Sequence, residues 1–314
     1  MKRINSLILL ILSFSFQPLL ADKNELSPVH PGATAPRAFA DILLEWNVTT
    51  ITGSEVILGV TYANGYFWFT AGGLVDSSEP NNYLYQVSTA GTLVNTFIQN
   101  TTSEWGWRDL TTDGTYLYGS DSTVIDQISM VTGQSTGVTI PVPGGLTVGR
   151  GLAYDSATDH FFVAGFGTNI FEIDRTGAVI NTITSTHATY GLAFERNIFG
   201  GPYVYSWHQD DDADMNRFQT VSGVDSGVLF GAQPGRFAGG AETTFLLNPG
   251  QLQMLAVEQG SGVSSADFLV VYDMDQLVIL IPTLSQKMTI VFLILLMSAG
   301  LYWTYRRRRQ AASA

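Results

Sequence analysis

Arg150-Gly151-Leu152-Ala153-Tyr154-Asp155 opens a unit that runs through Asp159-His160-Phe161-Phe162-Val163 and Ile170-Phe171-Glu172-Ile173 to Thr176-Gly177-Ala178-Val179-Ile180-Asn181-Thr182-Ile183. Each short apolar or aromatic run alternates with period two and ends at Asp, Asn or Gly. Alternation of that kind, broken by turn residues, predicts β-strands joined as hairpins. No stretch of the unit carries a helical period.

The unit recurs on both sides. Asn64-Gly65 precedes Tyr66-Phe67-Trp68-Phe69, and Asp113-Gly114 precedes Tyr116-Leu117-Tyr118. Gly200-Gly201 precedes Tyr203-Val204-Tyr205, and Asn248-Pro249-Gly250 precedes Met254-Leu255-Ala256-Val257. The next strand also returns, as Tyr83 to Val87, Val124 to Ile128 and Phe268 to Tyr272. The closest internal match sets Ala90-Gly91-Thr92-Leu93-Val94-Asn95-Thr96-Phe97 against residues 176–183.

Four short strands repeating at roughly 40 to 50 residues predict the blades of a β-propeller. The expected fold is all-β: a single closed propeller of five four-stranded blades, with six as the alternative. The five begin near Val56, Arg108, Arg150, Tyr190 and Arg236. The fifth lacks its outermost strand. Phe39 to Trp46 is a spare strand that supplies it and closes the ring, unless Gln276 to Leu280 does so. Closure matters because an open array would leave sheet edges exposed.

The repeats resemble the broad family of secreted repeat propellers whose units open on a Gly-Leu-Ala-Tyr-Asp-like strand. Here Gly151 to Asp155 and Gly191-Leu192-Ala193-Phe194-Glu195 carry that opening, and Arg108-Asp109-Leu110-Thr111-Thr112-Asp113 is a looser version. The resemblance spans roughly residues 55 to 275. It implies a fold, because propellers host binding, hydrolytic, lyase and redox activities alike.

The ends of the chain carry address signals. Lys2 and Arg3, the apolar Leu7 to Phe16 and the Leu19-Leu20-Ala21 site predict a signal peptide over residues 1–21. Residues 22–38, with Pro28, Pro31 and Pro36, read as a flexible leader. The propeller is expected over 39–280 and a sorting segment over 281–314. That segment begins Ile281-Pro282-Thr283-Leu284. An apolar run from Met288 to Tyr305 follows, and then Arg306 to Arg309. At about 1.5 Å per residue the run would give roughly 27 Å of helix, which predicts one membrane-crossing helix with a basic cytoplasmic end.

The motif, the run and the basic end resemble the IPTL-type C-terminal sorting signal of Gram-negative bacteria, a relative of the PEP-type signals. Where that family continues with an acidic residue, Trp and Gly, this chain has Gln286, Lys287 and Met288. The resemblance implies signal peptidase and an exosortase-like sorting protease as partners. It also implies passage through the inner membrane with the propeller in the periplasm, then the cell surface or extracellular space.

Composition narrows the function classes. Seven of the 15 basic residues lie in the terminal segments, which leaves eight against 27 acidic residues. So acidic a domain repels nucleic acid. The chain has no cysteine, which excludes thiol catalysis, iron–sulfur clusters and Cys-ligated zinc.

Candidate site residues are few. Arg108, Arg150 and Arg236 stand just before the first strands of three blades. They are expected to converge at one channel mouth and hold a carboxylate or phosphate, or else to pair with acids such as Asp109 or Glu242 and lock blades together. Asp210, Asp212, Asp214 and Asn216 alternate as in the first half of a calcium loop, though Met215 and Val221 replace its Gly and Glu. They mark a candidate calcium site or a solvated acidic insert. No other cofactor is expected. His30, His160, His187 and His208 read as isolated loop residues. Trp68, Trp105, Trp107 and Trp207 read as inter-blade core or sugar-stacking surfaces. No catalytic constellation is apparent, and no Gly-x-Ser-x-Gly elbow surrounds a serine.

The expected function is therefore an exported, surface-sorted, non-catalytic propeller that binds a glycan, protein or small molecule. The alternative is a secreted propeller enzyme, either a lactonase-like metal-dependent hydrolase or a glutaminyl-cyclase-like one. The cyclase's Phe-Thr-Gln-Gly-Leu start is absent. A buried Glu, Asp and Asn cluster without counter-charge in the channel would favour the enzyme, and an Arg-lined or apolar plug would favour binding.

Overall fold

Each predicted turn closes a hairpin in the computed structural model, which describes residues 39–275 apart from 74–81, 102, 145, 147–148, 199, 211–212 and 262–264. The Asn64-Gly65 turn shows the local logic. Both residues have positive φ, 53° and 82°, and Ala63 pairs directly with Tyr66 across them. A two-residue loop of that geometry matches the right-handed twist of its flanking strands, and Asn-Gly supplies it at least steric cost.

The described residues form twenty strands and one short helix. First come β1 (Ile42–Asn47) and α1 (Val48–Thr52). Blade 1 is β2 (Ile57–Ala63), β3 (Tyr66–Ala71), β4 (Tyr83–Ser88) and β5 (Leu93–Ile98). Blade 2 is β6 (Leu110–Thr112), β7 (Leu117–Asp121), β8 (Val124–Ile128) and β9 (Ser135–Pro141). Blade 3 is β10 (Gly151–Asp155), β11 (His160–Ala164), β12 (Ile170–Ile173) and β13 (Val179–Ile183). Blade 4 is β14 (Thr189–Glu195), β15 (Tyr203–Gln209), β16 (Ala213–Gln219) and β17 (Asp225–Gly231). Blade 5 takes β18 (Arg236–Thr244), β19 (Gln253–Gly260) and β20 (Phe268–Asp273), with β1 as its outermost strand, in the order β1-β20-β19-β18. The count is five blades, not the alternative six.

Burial grades outward from the axis. Every residue of β2 is buried, whereas β5 and β17 are mostly exposed. The core lies between blades, in five apolar clusters. Trp68 and Leu84 of blade 1 meet Trp107, Leu110 and Leu117 at blade 2. Tyr118 and Ile125 meet Leu152 and Phe161 of blade 3. Phe162 and Ile170 meet Leu192 and Phe218 of blade 4. Trp207 and Met215 meet Ala256 and Tyr272 of blade 5. Val257 and Leu269 return to Phe67 and Phe69 of blade 1. Five blades with five interfaces make a closed ring. Each fully buried side chain of this size contributes roughly 1.5–3 kcal/mol.

Closure runs through β1. It pairs antiparallel with β20 from Ile42↔Tyr272 to Asn47↔Phe268. Trp46 also sets its ring edge-on to Phe67 of blade 1, with centroids 5.2 Å apart. Asn47 then caps α1 by accepting from the Thr50 N–H at 2.8 Å, and Gly53 ends it in the left-handed region.

One part of the expected fold class is corrected. The only helix among the described residues is α1, with five residues, and none there is long and apolar enough to cross a membrane. Crossing takes about 20 residues. The run from Met288 to Tyr305 lies outside the described residues. So do the signal peptide, the leader, Ile281 to Leu284 and Gln276 to Leu280.

Candidate functional site

The five inner strands meet backbone to backbone on the propeller axis. Four of them place a glycine there: Gly59, Gly151, Gly191 and Gly240. A Cβ on Gly59 would stand 2.7 Å from the Cα of Asp109, and one on Gly240 would stand 2.6 Å from the Cα of Gly59. One on Gly191 would stand 2.8 Å from the Cα of Gly240, and one on Gly151 2.8 Å from Cγ of Leu192. A side chain at Gly59, Gly191 or Gly240 would meet backbone and force the strands apart, and one at Gly151 would have to displace Leu192 and Thr189.

The fifth position is Asp109, and its carboxylate acts as the stopper. Oδ1 accepts from the N–H of Leu110 at 3.0 Å. Oδ2 accepts from the N–H groups of Leu152 at 2.9 Å and Leu192 at 3.1 Å, one from each of blades 3 and 4. Burial drives its pKa well above the ordinary range, against those three bonds. Glu242 is buried nearby and accepts from Thr61 Oγ1 at 3.4 Å and the N–H of Thr243 at 3.2 Å; burial lifts its pKa to about 8. The axis therefore holds two buried acids, but Asp109 is saturated by backbone donors within closed walls.

Above this ring, on the face where the inner strands begin, lies a cavity of about 270 Å³. All five blades or the connections into them reach it, through Leu58, Trp105, Arg150, Tyr190, Gln259 and Asp267. Arg150 lines the cavity, whereas Arg108, at the equivalent place of blade 2, lies beside the lining Trp105, and both are fixed by their backbones. The N–H of Arg150 donates to Ala164 O at 2.8 Å and that of Arg108 to Ser120 O at 2.9 Å, while Ser120 Oγ donates to Arg150 O at 2.6 Å.

The Arg150 guanidinium lies 3.5 Å from the ring centroid of Phe166 and 5.3 Å from that of Tyr190. The Arg108 guanidinium lies 5.3 Å from the ring centroid of Trp105. Among the described residues neither arginine forms an ion pair, and Nε and Nη1 of Arg108 are buried without a hydrogen-bond partner. Burial first, and then the charge of Arg108, lowers the Arg150 pKa to about 10. Burial likewise lowers that of Arg108, opposed by the charges of Asp121 and Glu104. Asp121 and Glu104 partly offset the charge of Arg108. Asp267 does not bond Arg150. Its oxygens accept from the N–H groups of Ile57 at 2.7 Å and Gly260 at 3.0 Å, and burial lifts its pKa to about 6.

Arg236 is not part of this group. Its guanidinium bonds Glu45 at 2.8 Å and Glu258 at 3.1 Å and lies 3.7 Å from the ring centroid of Phe268. The reason is a register shift between Ala238 and Ala241 in the nine-residue β18. It puts the axial glycine four residues after Arg236, instead of one residue after the arginine as at Arg150. The positions equivalent to Arg150 are Leu58, Arg108, Tyr190 and Gly239. Arg236 instead fastens β1 to β19.

The acidic row is dispersed by its own strand. Asp214 and Asn216 belong to β16, and Asp212 lies outside the described residues. Asp210 turns to His187, with Oδ2 at 2.6 Å from Nδ1, and its Oδ1 accepts from the N–H of Ala188 at 2.7 Å. Asn216 donates to Asp225 at 3.1 Å.

The histidines correct another expectation. His187 and His208 are not isolated: their rings stack with centroids 4.1 Å apart. Pairing of Thr189 with His208 brings them together across 21 positions of sequence. His160 bonds Glu172 at 2.8 Å, and His30 lies outside the described residues. Burial lowers the His208 pKa; at His187 burial also acts to lower it, but the hydrogen bonds to Asp210 and Asp225 and their charges outweigh burial and raise it. Of the tryptophans, Trp68, Trp107 and Trp207 are fully buried core, and only Trp105 reaches the mouth.

No family model matches the sequence, and no curated protein matches it. Among solved structures, the WD40 domain of Pan2 from Neurospora crassa aligns with 12% identity and a TM-score of 0.45, over 74% of this chain and 66% of that one. That likeness is too distant to carry a ligand or an activity across.

Proposed function

We propose that the chain is an exported, non-catalytic binding protein of the cell surface or extracellular matrix. Its axial mouth takes the carboxylate or phosphate of a glycan, protein or small molecule. The observation that carries this is the Arg108–Arg150 pair. Among the described residues Arg150 lines the mouth without an ion-pair partner, Arg108 lies beside its Trp105 wall with Nε and Nη1 buried and unbonded, and the domain is otherwise strongly acidic. Trp105 and Tyr190 flank the pair with flat rings on which a sugar or planar group can rest. The general negative charge discourages anions elsewhere on the surface. An enzymatic reading would need substrate beside the axial acids. The glycine ring leaves no room for one at Asp109, whose oxygens are already bonded, and Glu242 is buried and accepts from Thr61 and the N–H of Thr243.

Surface placement rests on the signal-like N-terminus and on Ile281 to Leu284. Signal peptidase and an exosortase-like protease would process the two ends, and no resident cofactor is needed for binding. Mass spectrometry of the mature protein tests this. Loss of residues before Asp22 and a new C-terminus near Ile281 to Leu284 are expected, and an intact chain from Met1 to Ala314 would refute it.

Calorimetric titration with uronic acids, dicarboxylates and inorganic phosphate tests the mouth. Binding of at least one of these should weaken about tenfold or more in Arg150→Ala, since a charge-assisted hydrogen bond is worth about 1.5–3 kcal/mol. Arg236→Ala should leave the affinity unchanged. Equal affinity in wild type and Arg150→Ala would sink the assignment.

A further inference from the structure

We propose that His187, His208 and Asp210 form a binding site for a divalent transition ion of the zinc type, at the rim between blades 3 and 4. It rests on observations separate from those at the axial mouth. Nδ1 of both histidines faces the same oxygen, Asp210 Oδ2, at 2.6 Å from His187 and 3.5 Å from His208. The three ligand atoms all lie within 4.8 Å of one another. Zinc bonds of about 2.0–2.2 Å set tetrahedral ligand atoms roughly 3.3 Å apart, so the His187–Asp210 contact must open by about 0.7 Å to admit the ion, with the two stacked rings turning toward it.

A second observation points to a ligand. His208 is 3% exposed, and neither of its ring nitrogens makes a well-aligned hydrogen bond, with Asn216 nearby and Asp210 Oδ2 3.5 Å from Nδ1. Buried polar groups left in that state are rare and costly. An ion beside Nδ1 would satisfy the inner one.

The surroundings suit a metal as well. His187 Nε2 lies 3.3 Å from Asp225 Oδ2, so its N–H can donate to that carboxylate while Nδ1 keeps its lone pair for the ion. Carboxylate behind histidine behind metal is the usual outer-shell arrangement. Asn216 Nδ2 lies 3.1 Å from both the Asp225 carboxylate and His187 Nε2, and with Nε2 protonated it donates to the carboxylate alone. Asp210 Oδ1 is occupied by the N–H of Ala188, which leaves Oδ2 for the ion. His208 is fixed in β15, and Phe218 packs edge-on to His187 with centroids 5.9 Å apart. The Asp210 side chain is 43% exposed, so a water can complete a tetrahedron from that side. Two imidazole nitrogens and one carboxylate suit zinc, whereas calcium prefers six to eight oxygens.

The test uses the full chain, untagged and stripped with a chelator, then titrated with zinc chloride by calorimetry. One zinc per chain is expected, unaffected by millimolar calcium. Cobalt(II) should give the visible absorption of a tetrahedral site. His187→Gln and Asp210→Asn, whose side chains are partly exposed, should each weaken zinc binding about tenfold or more while melting like wild type. Asp214→Asn should leave it unchanged. His208→Gln extends the series to the buried ligand, and a loss of folding there is read against the first two variants. Absence of saturable binding, binding that survives both His187→Gln and Asp210→Asn, or displacement by calcium would overturn the proposal.

Discussion

Asp109 stands where the other four blades place glycine, and that single exchange decides what the axis can do. Its carboxylate ties three inner-strand N–H groups together. Asp109→Asn turns one acceptor into a donor facing those N–H groups. It should lower stability by about 1–3 kcal/mol in urea unfolding, and an unchanged midpoint would show that the stopper contributes nothing. Glu242 makes the pH prediction. Its folded pKa, about 8, lies above the ordinary 4.5. Folding therefore takes up a proton between those values, and stability falls as pH rises through that window. Glu242→Gln removes the term. Between about pH 5 and pH 8 wild type should lose a few kcal/mol more than the variant, and parallel pH profiles would contradict the assignment. The sequence showed an acid in a loosened Gly-Leu-Ala-Tyr-Asp opening. It could not show that this acid meets two other blades, because the axis exists only after closure.

At the scale of elements, the alternation and the turns made the strands legible, and even the exposed outer pair β5 and β13 was visible as the internal match of residues 90–97 with 176–183. The arginine spacing was legible only where blades kept one register. The irregularity inside β18 displaced Arg236, and nothing in the local sequence announces such a shift. The stacked histidines were invisible for a related reason, since strand pairing brings together residues that sequence spacing keeps apart. Two predictions belong here. Deleting residues 39–48 removes β1 and unpairs the edge of β20, so the melting temperature of the whole propeller should fall. An unchanged temperature would mean that another segment closes the ring. Arg236→Ala leaves Glu258, whose side chain is 0% exposed, with only the Tyr272 hydroxyl and the N–H of Gln233. The loss should be on the order of 3 kcal/mol, as for other broken buried pairs. A shift below a few tenths would show that β1 is held by its ladder alone.

For the whole molecule, closure and function are one argument. Five inter-blade clusters complete a ring, the ring brings five strand starts to one point, and the glycines let them approach until Asp109 seals the axis. What remains open is the mouth above, where Arg150 lies against Phe166 and Tyr190 and Arg108 lies beside Trp105. The most direct measurement is a crystal structure of the protein grown with the tightest-binding anion from the titrations. The account predicts a carboxylate or phosphate oxygen about 3 Å from the Arg150 and Arg108 guanidiniums, in a five-bladed ring closed by β1. Anion density elsewhere, with the mouth holding only water or a side-chain carboxylate turned onto Arg150, would contradict it.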